Sequence, residues 1–324
     1  MKNLRIVFMG TPEFAVATLG SLLINGFNIV GVVTVPDKPA GRGRKISRSA
    51  VAEFADTSSL PLLQPEKLRD PLFISELEKL NADIFIVVAF RMLPEIIWRM
   101  PRLGTINLHA SLLPHYRGAA PINHVIINGE TTTGVTTFLI NDRIDTGNLL
   151  LREEVTIYPY ENAGDLHNRL MKLGARLVIR TLEGIVNQSI IPMPQSQFLK
   201  PGEQPVEAPK IFPANCIIDW NLSATKVNNL VRGLSPSPCA KMFLEGKGKV
   251  LSFKVFESKA EEEKHDLKPG TIVSDNKEIL KVACGSGFLR LVSLQPEGKK
   301  KMMVNEFLRG FRISDYMVSI NQQV

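Results

Sequence analysis

Short apolar runs alternate with helical patterns over the first 110 residues or so. The runs at residues 4–9, 27–35 and 83–89 have the length and composition of buried parallel strands. Between them, residues 14–24 and 72–80 carry apolar side chains at helical spacing. This order predicts an α/β fold, a Rossmann-like, doubly wound and mostly parallel sheet with right-handed crossovers.

The rest of the chain predicts a second domain. A helical pattern over residues 162–187 closes the first domain, and residues 191–207 are rich in proline, as expected of a semi-rigid linker. Short strands separated by turn residues then follow between residues 249 and 294, which is typical of a small β-barrel. We therefore expect a catalytic domain at 1–190, a linker at 191–207 and a barrel domain at 208–324.

Composition limits the class of protein. The chain has 324 residues, of which 44% are hydrophobic and 22% charged, so it can bury two cores. No apolar run approaches the roughly 20 residues that span a bilayer, and the apolar start is too short for a signal peptide. We expect a cytoplasmic protein without a membrane partner. A net charge of +7, most of it after residue 206, favours an anionic partner.

A polar cluster follows the apolar run that ends near residue 106. Asn107, His109, Ser111 and Arg117 lie within eleven residues, and Asp145 precedes Thr-Gly after a later predicted strand. Ligands of open α/β sheets bind beyond the carboxyl ends of the strands, so these residues are candidates for a site. The same residue types also form turns and caps, and spacing alone leaves both interpretations open.

The sequence lacks the motifs that identify several other kinds of site. A dinucleotide-dependent oxidoreductase needs Gly-x-Gly-x-x-Gly after the first strand, where this chain has the single glycine Gly10. No Walker A loop, nucleophile elbow or metal-ligand spacing is present, so we expect no metal and no acyl-enzyme at Ser111. Cys216, Cys239 and Cys284 are far apart and fit ordinary thiols.

Two basic segments stand out. Residues 36–49 hold five cations with two glycines and two prolines, and three lysines follow the last predicted strand. Either segment fits a solvated surface, and either fits a cationic contact that orders on phosphates. The cations are Lys38, Arg42, Arg44, Lys45 and Arg48 in the first segment and Lys299, Lys300 and Lys301 in the second.

Three motifs carry a family resemblance: Asn107-Leu-His-Ala-Ser-Leu-Leu-Pro, Tyr116-Arg-Gly-Ala-Ala-Pro-Ile and Ile144-Asp-Thr-Gly. With them the chain resembles the formyltransferases that use 10-formyltetrahydrofolate. The basic loop near Arg42 and the second domain make it similar, over nearly the whole length, to the members that act on initiator methionyl-tRNA. The resemblance implies an OB-fold-like C-terminal barrel and a monomer.

The resemblance also assigns residues. It implies a catalytic set, Asn107, His109 and Asp145, and a slot for 10-formyltetrahydrofolate lined by Phe90, Ser111, Leu112, Leu113 and Pro114. It implies tRNA contacts through Lys38, Arg42, Arg44, Lys45, Lys299, Lys300 and Lys301. One departure concerns Arg91, because many members have glycine after the aromatic residue; this arginine faces either solvent or the glutamate tail of the folate.

The proposed set suits formyl transfer between two nitrogens. The reaction develops an oxyanion on the formyl oxygen, so it needs a hydrogen-bond donor there and a group that handles protons. Asn107 and His109 provide these, and Asp145 orients the imidazole. The alternatives are a formyltransferase for another amine, such as glycinamide ribonucleotide or an amino sugar, and a tRNA-binding protein without catalysis.

Overall fold

The computed structural model describes residues 3–40 and 45–319, which form two compact units. The first unit comprises Met1–Gly118, Thr133–Val155 and His167–Ala208. The second comprises Ala119–Thr132, Thr156–Leu166 and Pro209–Val324. The domain boundaries expected from the sequence stay predictions beside this division.

Strands and helices alternate as predicted over much of the chain up to the long helix that ends at Val186, except that β3 and β4 follow β2 directly and β9 follows β8 directly. In chain order they are β1 (Arg5–Gly10), α1 (Glu13–Ile24), β2 (Asn28–Val33), β3 (Lys38–Ala40), β4 (Lys45–Ser47), α2 (Ala50–Thr57), β5 (Leu62–Leu63), α3 (Pro71–Lys79), β6 (Ile84–Val88), α4 (Glu95–Trp98), β7 (Thr105–His109), α5 (Pro121–Ile127), β8 (Thr132–Leu139), β9 (Leu149–Thr156) and α6 (Ala163–Val186).

The remaining elements are mostly short strands. They are α7 (Ala224–Leu234), β10 (Ala240–Gly246), β11 (Lys249–Glu261), β12 (Ile272–Ser274), β13 (Leu280–Ala283), β14 (Phe288–Pro296), β15 (Met302–Met303), α8 (Val304–Gly310) and β16 (Met317–Val318). Single turns of 3₁₀ helix lie at Gln195–Phe198, Pro213–Cys216 and Ile313–Asp315.

The first unit is built on a seven-stranded sheet of order β5-β2-β1-β6-β7-β8-β9. Strands β5, β2, β1, β6 and β7 are parallel, and β8 runs antiparallel to β7. The order reverses between β1 and β6, where Gly10 lies beside Val88. The predicted Rossmann-like fold is confirmed, and its topological switch point opens at the carboxyl ends of these two strands.

Burial explains why the central strands were visible in the sequence. Every residue of β6 is buried, and Phe8 of β1 and Phe85 of β6 are almost inaccessible to solvent. A strand covered on both faces needs a continuous apolar run rather than alternation. Local signals also mark the helices: Asp70 caps α3 by accepting the amide hydrogen of Leu72 at 2.9 Å, and Pro71 starts the helix.

The proline-rich segment at 191–207 is part of the first unit and is hydrogen-bonded to other parts of it. Leu149 and Met193 exchange backbone hydrogen bonds of 2.8 and 2.9 Å. Farther on, the amide of Ala208 donates to the carbonyl of Arg117 at 2.7 Å. Hydrogen bonds near both ends of the segment therefore hold it against the strand and loop residues of the unit that carries the polar cluster.

The second unit is a nearly closed antiparallel barrel of order β12-β13-β14-β11-β10-β16, with β15 beside β14. Its core holds Trp220, which is 3% exposed, and Phe253, which is 1% exposed. The predicted OB-fold-like barrel is confirmed. All three cysteines are free and buried, and burial raises the pKa of Cys284 to about 11.

Within the described residues, no helix is both long enough and apolar enough to cross a membrane.

The barrel core gives a stability prediction. Phe253 packs edge-on against Phe307 at 5.5 Å between ring centroids, so Phe253→Ala should lower the free energy of unfolding of this unit by about 3–5 kcal/mol. The measurement is urea unfolding followed by Trp220 fluorescence in a Trp98→Phe background. Phe212→Ala is the control, because this ring is 56% exposed and its loss should cost less than about 1 kcal/mol. Equal losses in the two variants would contradict the assignment of Phe253 to the core.

Candidate active site

His109 ends strand β7 and is held in a fixed orientation. Its side chain is buried, with 7% of the residue exposed. Its Nε2 lies 2.8 Å from the carbonyl oxygen of Tyr116, and its Nδ1 lies 3.7 Å from Oδ2 of Asp145. Since a carbonyl only accepts hydrogen bonds, Nε2 carries a hydrogen, and Nδ1 is the nitrogen that faces the carboxylate.

Asn107 lies two residues before His109 on the same face of β7. Its Oδ1 is buried and has no hydrogen-bond partner among the described residues. The C=O and NH₂ ends of the amide have nearly the same shape, so a rotation by 180° would place the NH₂ group at the position of Oδ1. A buried amide end without a partner is costly, so this position suits a ligand that completes the hydrogen bond.

Asp145 comes from the loop between β8 and β9. Its backbone adopts a left-handed conformation, with φ of +52°. Its Oδ2 accepts the amide hydrogen of Gly118 at 2.9 Å. Two residues on, Gly147 passes so close to Leu139 that an added Cβ would lie 1.6 Å from the carbonyl oxygen of Leu139. The loop therefore needs glycine at 147 to bring Asp145 to His109.

Arg117 and Gln195 complete the surroundings of Asp145. The Oε1 of Gln195 accepts hydrogen bonds from Nε and Nη2 of Arg117, at 3.1 and 2.6 Å. The Nε2 of Gln195 donates to the carbonyl oxygens of Asp145 and Gly147, at 2.8 and 2.9 Å. Burial lowers the pKa of Arg117, against the opposing influence of nearby Asp145 and Glu207. Gln195 was not predicted from the sequence, where nothing distinguishes it from other polar residues of a proline-rich segment.

Ser111 stabilises the turn after β7. Its Oγ donates to the carbonyl oxygen of His115 at 2.7 Å, and its own carbonyl accepts from Oγ1 of Thr136 at 2.6 Å. The same threonine oxygen accepts from the amide of Leu113 at 3.2 Å. The hydroxyl of Ser111 is thus engaged by its own turn.

The other residues predicted for the folate slot differ in exposure. Phe90 and Leu112 are half-buried, and Pro114 is buried. Leu113 is fully buried and packs with Phe138 and Leu149. Their role in folate binding stays a prediction.

Arg91 is partly exposed, and its guanidinium bonds to neighbouring segments of the fold. Its guanidinium lies 5.5 Å from the centre of the Phe90 ring. It donates to the carbonyl oxygen of Glu66 at 2.9 Å and also to that of Pro65. Burial lowers its pKa. The side chain therefore ties the loop after β6 to the segment before α3.

The described residues of the basic segment 36–49 include the two short strands β3 and β4. Strands β3 and β4 pair antiparallel, with Lys38 opposite Ser47, and Lys38 is exposed. Arg48 forms ion pairs with Asp37, at 3.0 Å, and with Asp56. Arg48 is therefore engaged within the fold. Arg42 and Arg44 lie outside the described residues, and of Lys45 the structure describes the backbone.

Lys299, Lys300 and Lys301 belong to the second unit, where all three are exposed. The Nζ of Lys301 lies 4.8 Å from the ring centre of Phe256. Their role in tRNA binding stays a prediction.

In the described ranges 3–40 and 45–319, no group of three His, Cys, Asp or Glu side chains is arranged to hold a metal ion.

Both units match known family models. Residues 4–182 match the formyl transferase family, and residues 210–312 match the formyl transferase C-terminal domain. Among solved structures, the sugar 3N-formyl transferase WlaRD superimposes with a TM-score of 0.65 at 19% identity over 92% of this chain and 99% of that one. An N-formyltransferase from Helicobacter canadensis gives 0.64 at 18% identity over 92% of this chain and all of the other. At these identities the likeness concerns the fold.

Sequence relatives are closer. A methionyl-tRNA formyltransferase of Flavobacterium johnsoniae is 54% identical over 97% of this chain and 98% of its own length. A methionyl-tRNA formyltransferase of Bacteroides thetaiotaomicron is 51% identical over 97% and 98%. The match extends through both units, and the chain belongs to the methionyl-tRNA formyltransferase family.

Proposed function

We propose that this protein transfers the formyl group of 10-formyltetrahydrofolate to the amino group of initiator methionyl-tRNA, giving N-formylmethionyl-tRNA for translation initiation. One observation carries the proposal: relatives named methionyl-tRNA formyltransferase are about half identical to this chain over 97% of its length. The identity includes the barrel unit as well as the unit that holds Asn107, His109 and Asp145.

The alternative functions have weaker support. Sugar formyltransferases match this chain at 19% identity or less, and a glycinamide ribonucleotide transformylase matches over 59% of it. A tRNA-binding protein without catalysis would not need the contact between His109 and Asp145, or the buried Oδ1 of Asn107 that has no partner among the described residues.

The donor is inferred from the site and from the neighbouring structures. One neighbouring structure was determined in the presence of 5-N-formyl-THF and another in complex with tetrahydrofolic acid. In the present chain, half-buried Phe90 follows the carboxyl end of β6, and Oδ1 of Asn107 on the neighbouring strand β7 is buried without a hydrogen-bond partner among the described residues. When bound, the folate supplies the formyl carbon that the amine attacks.

Asn107 is proposed to stabilise the charge that develops on the formyl oxygen. With its NH₂ group at the unpartnered position, the amide donates a hydrogen bond from a buried site. Such a donor is already oriented before the reaction and operates where water does not compete. Its removal typically lowers kcat by about 10²–10³-fold.

His109 is proposed to take the proton that the attacking amine releases and to pass it to the folate nitrogen when the bond between that nitrogen and the formyl carbon breaks. Its Nε2 is occupied by the Tyr116 carbonyl, so the transfer takes place at Nδ1. The carboxylate of Asp145, 3.7 Å from Nδ1, offsets the positive charge of the doubly protonated ring. The amine itself needs little activation, because an α-amino group titrates near pH 8 and is partly neutral at physiological pH.

The acceptor tRNA is proposed to bind through basic residues of both units. Lys38, Lys299, Lys300 and Lys301 are exposed and suited to phosphate contacts. Arg42, Arg44 and Lys45 are proposed for the same role on the basis of their sequence. We also propose that the protein works as a monomer in the cytoplasm, where charged tRNA is available.

Replacement of the imidazole tests the catalytic set. His109→Ala should lower kcat for formyl transfer by about 10²–10⁴-fold, because a positioned proton-transfer group is lost, and should leave the Kd for tRNA nearly unchanged. The measurement is transfer of radiolabelled formyl from 10-formyltetrahydrofolate to methionyl-tRNA, with glycinamide ribonucleotide as a second acceptor.

His265→Ala provides the matched control. This histidine is half-buried. Like His109 it bonds a backbone carbonyl, that of Gly287 at 2.9 Å, but it belongs to the barrel unit. Its kcat should stay within about threefold of the parent. Unchanged turnover in His109→Ala would rule out the assigned role, and labelling of glycinamide ribonucleotide in place of tRNA would rule out the proposed acceptor.

The lysine run gives a salt-dependent prediction. Replacing Lys299, Lys300 and Lys301 by Ala should reduce the slope of log Kd for tRNA against log salt by about 2–3, because each lost phosphate contact contributes about 0.7–0.9. Filter binding at several salt concentrations measures the slope. A double variant at exposed Lys264 and Lys268 is the control. If both variants lower the slope alike, the run contributes general charge and no specific contact.

A further inference from the structure

Gln195 is a buried amide whose hydrogen-bonding groups are all used. It is 4% exposed, although it starts a single turn of 3₁₀ helix in the proline-rich segment. Its two N–H groups donate to the carbonyl oxygens of Asp145 and Gly147, and its Oε1 accepts twice from Arg117. Two donors and two lone pairs are the full capacity of a glutamine side chain.

These four hydrogen bonds hold the backbone next to both partners of the contact between Asp145 and Gly118. On one side, Nε2 holds the backbone at Asp145 and Gly147, at 2.8 and 2.9 Å. On the other side, Oε1 holds the guanidinium of Arg117, the residue before the amide that donates to Oδ2 of Asp145. One side chain thus connects the two loops whose contact places the carboxylate beside His109.

The backbone of the Asp145 loop needs such a connection. Asp145 has φ of +52°, a conformation that is unfavourable for a residue other than glycine and persists where the surroundings impose it. The two carbonyl groups that Gln195 binds flank Thr146, so the bonds fix the backbone directly around the carboxylate.

We propose that Gln195 is a positioning residue for the formyl transfer: it holds the Asp145 loop and Arg117 so that the carboxylate of Asp145 stays within reach of Nδ1 of His109. The inference rests on the proposed function for its kinetic consequence. The positioning itself concerns the structure of the protein without substrate, so the two can fail separately.

Gln195→Glu separates the hydrogen bonds that Gln195 donates to the Asp145 loop from those that it accepts from Arg117. Glutamate has nearly the same shape and keeps an acceptor for Arg117. It has no donor for the carbonyl oxygens of Asp145 and Gly147, and its second carboxylate oxygen would face them at about the same distances, where it repels them. The variant therefore releases the Asp145 loop and retains the partner of the guanidinium.

The first readout is independent of catalysis. The amide of Gly118 donates to Oδ2 of Asp145, so its hydrogen exchange reports whether that contact persists. In Gln195→Glu we expect this exchange to accelerate by at least about tenfold, measured by NMR on protein labelled with nitrogen-15 glycine. Gln197→Glu is the control, because Gln197 is exposed in the same 3₁₀ turn; its exchange rate should equal that of the parent.

The second readout is kinetic. Gln195→Glu should lower kcat by about 10–100-fold and change the KM for either substrate by less than about threefold, because a displaced group affects the transition state more than ground-state binding. In an Asp145→Ala background the same substitution should have little further effect on kcat. Gln195→Met, which removes both donors and the strong acceptor, should accelerate Gly118 exchange as well and replaces the glutamate variant if that variant does not fold.

The outcomes distinguish the positioning role of Gln195 from the proposed function of the protein. Faster Gly118 exchange with lower kcat supports the positioning role. Unchanged Gly118 exchange overturns it, whatever happens to kcat, and so does a full additional loss of kcat in the Asp145→Ala background. If the parent protein transfers formyl to no acceptor and Gly118 exchange still accelerates in Gln195→Glu, the positioning role stands and the proposed function fails.

Discussion

One backbone amide, that of Gly118, joins the two loops that form the candidate site. It donates to Oδ2 of Asp145 at 2.9 Å, which brings a loop between β8 and β9 to the segment that follows β7. Both loops reach this contact through left-handed backbone, at Tyr116, Gly118 and Asp145. At Tyr116 and Asp145 this conformation costs free energy locally, so the surrounding packing must compensate for it. The buried parallel sheet and the segment near Gln195 do so.

The fold was largely predictable, since central parallel strands are buried on both faces and leave continuous apolar runs such as β1 and β6. Elements were missed where that signal is absent. Strand β9 carries the charged residues Arg152, Glu153 and Glu154, and β5 and β16 have two residues each. Their pairing depends on neighbours that are distant in the sequence, which local propensity does not report.

The candidate site was predictable where its residues lie within short motifs. Asn107 and His109 share one strand, and Asp145 precedes Thr-Gly in a recognisable turn. Gln195 was not predictable, because its partners are 48 to 78 residues away and its own neighbourhood reads as a linker. The same holds for Arg91, whose carbonyl partners precede it by 25 and 26 residues. Contacts of this kind arise from tertiary packing and leave no period in the sequence.

The late position of Gln195 in the chain has a consequence for synthesis. Asp145 and Arg117 leave the ribosome well before their common partner, since Gln195 follows Arg117 by 78 residues. At about 5–20 residues per second, Arg117 waits roughly 4–16 s, and Asp145, 50 residues before Gln195, waits roughly 3–10 s for the side chain that connects them. The sheet can form during that interval, whereas the site matures afterwards. A fragment that ends near residue 190 would hold Asn107, His109 and Asp145 and would still resemble this immature state.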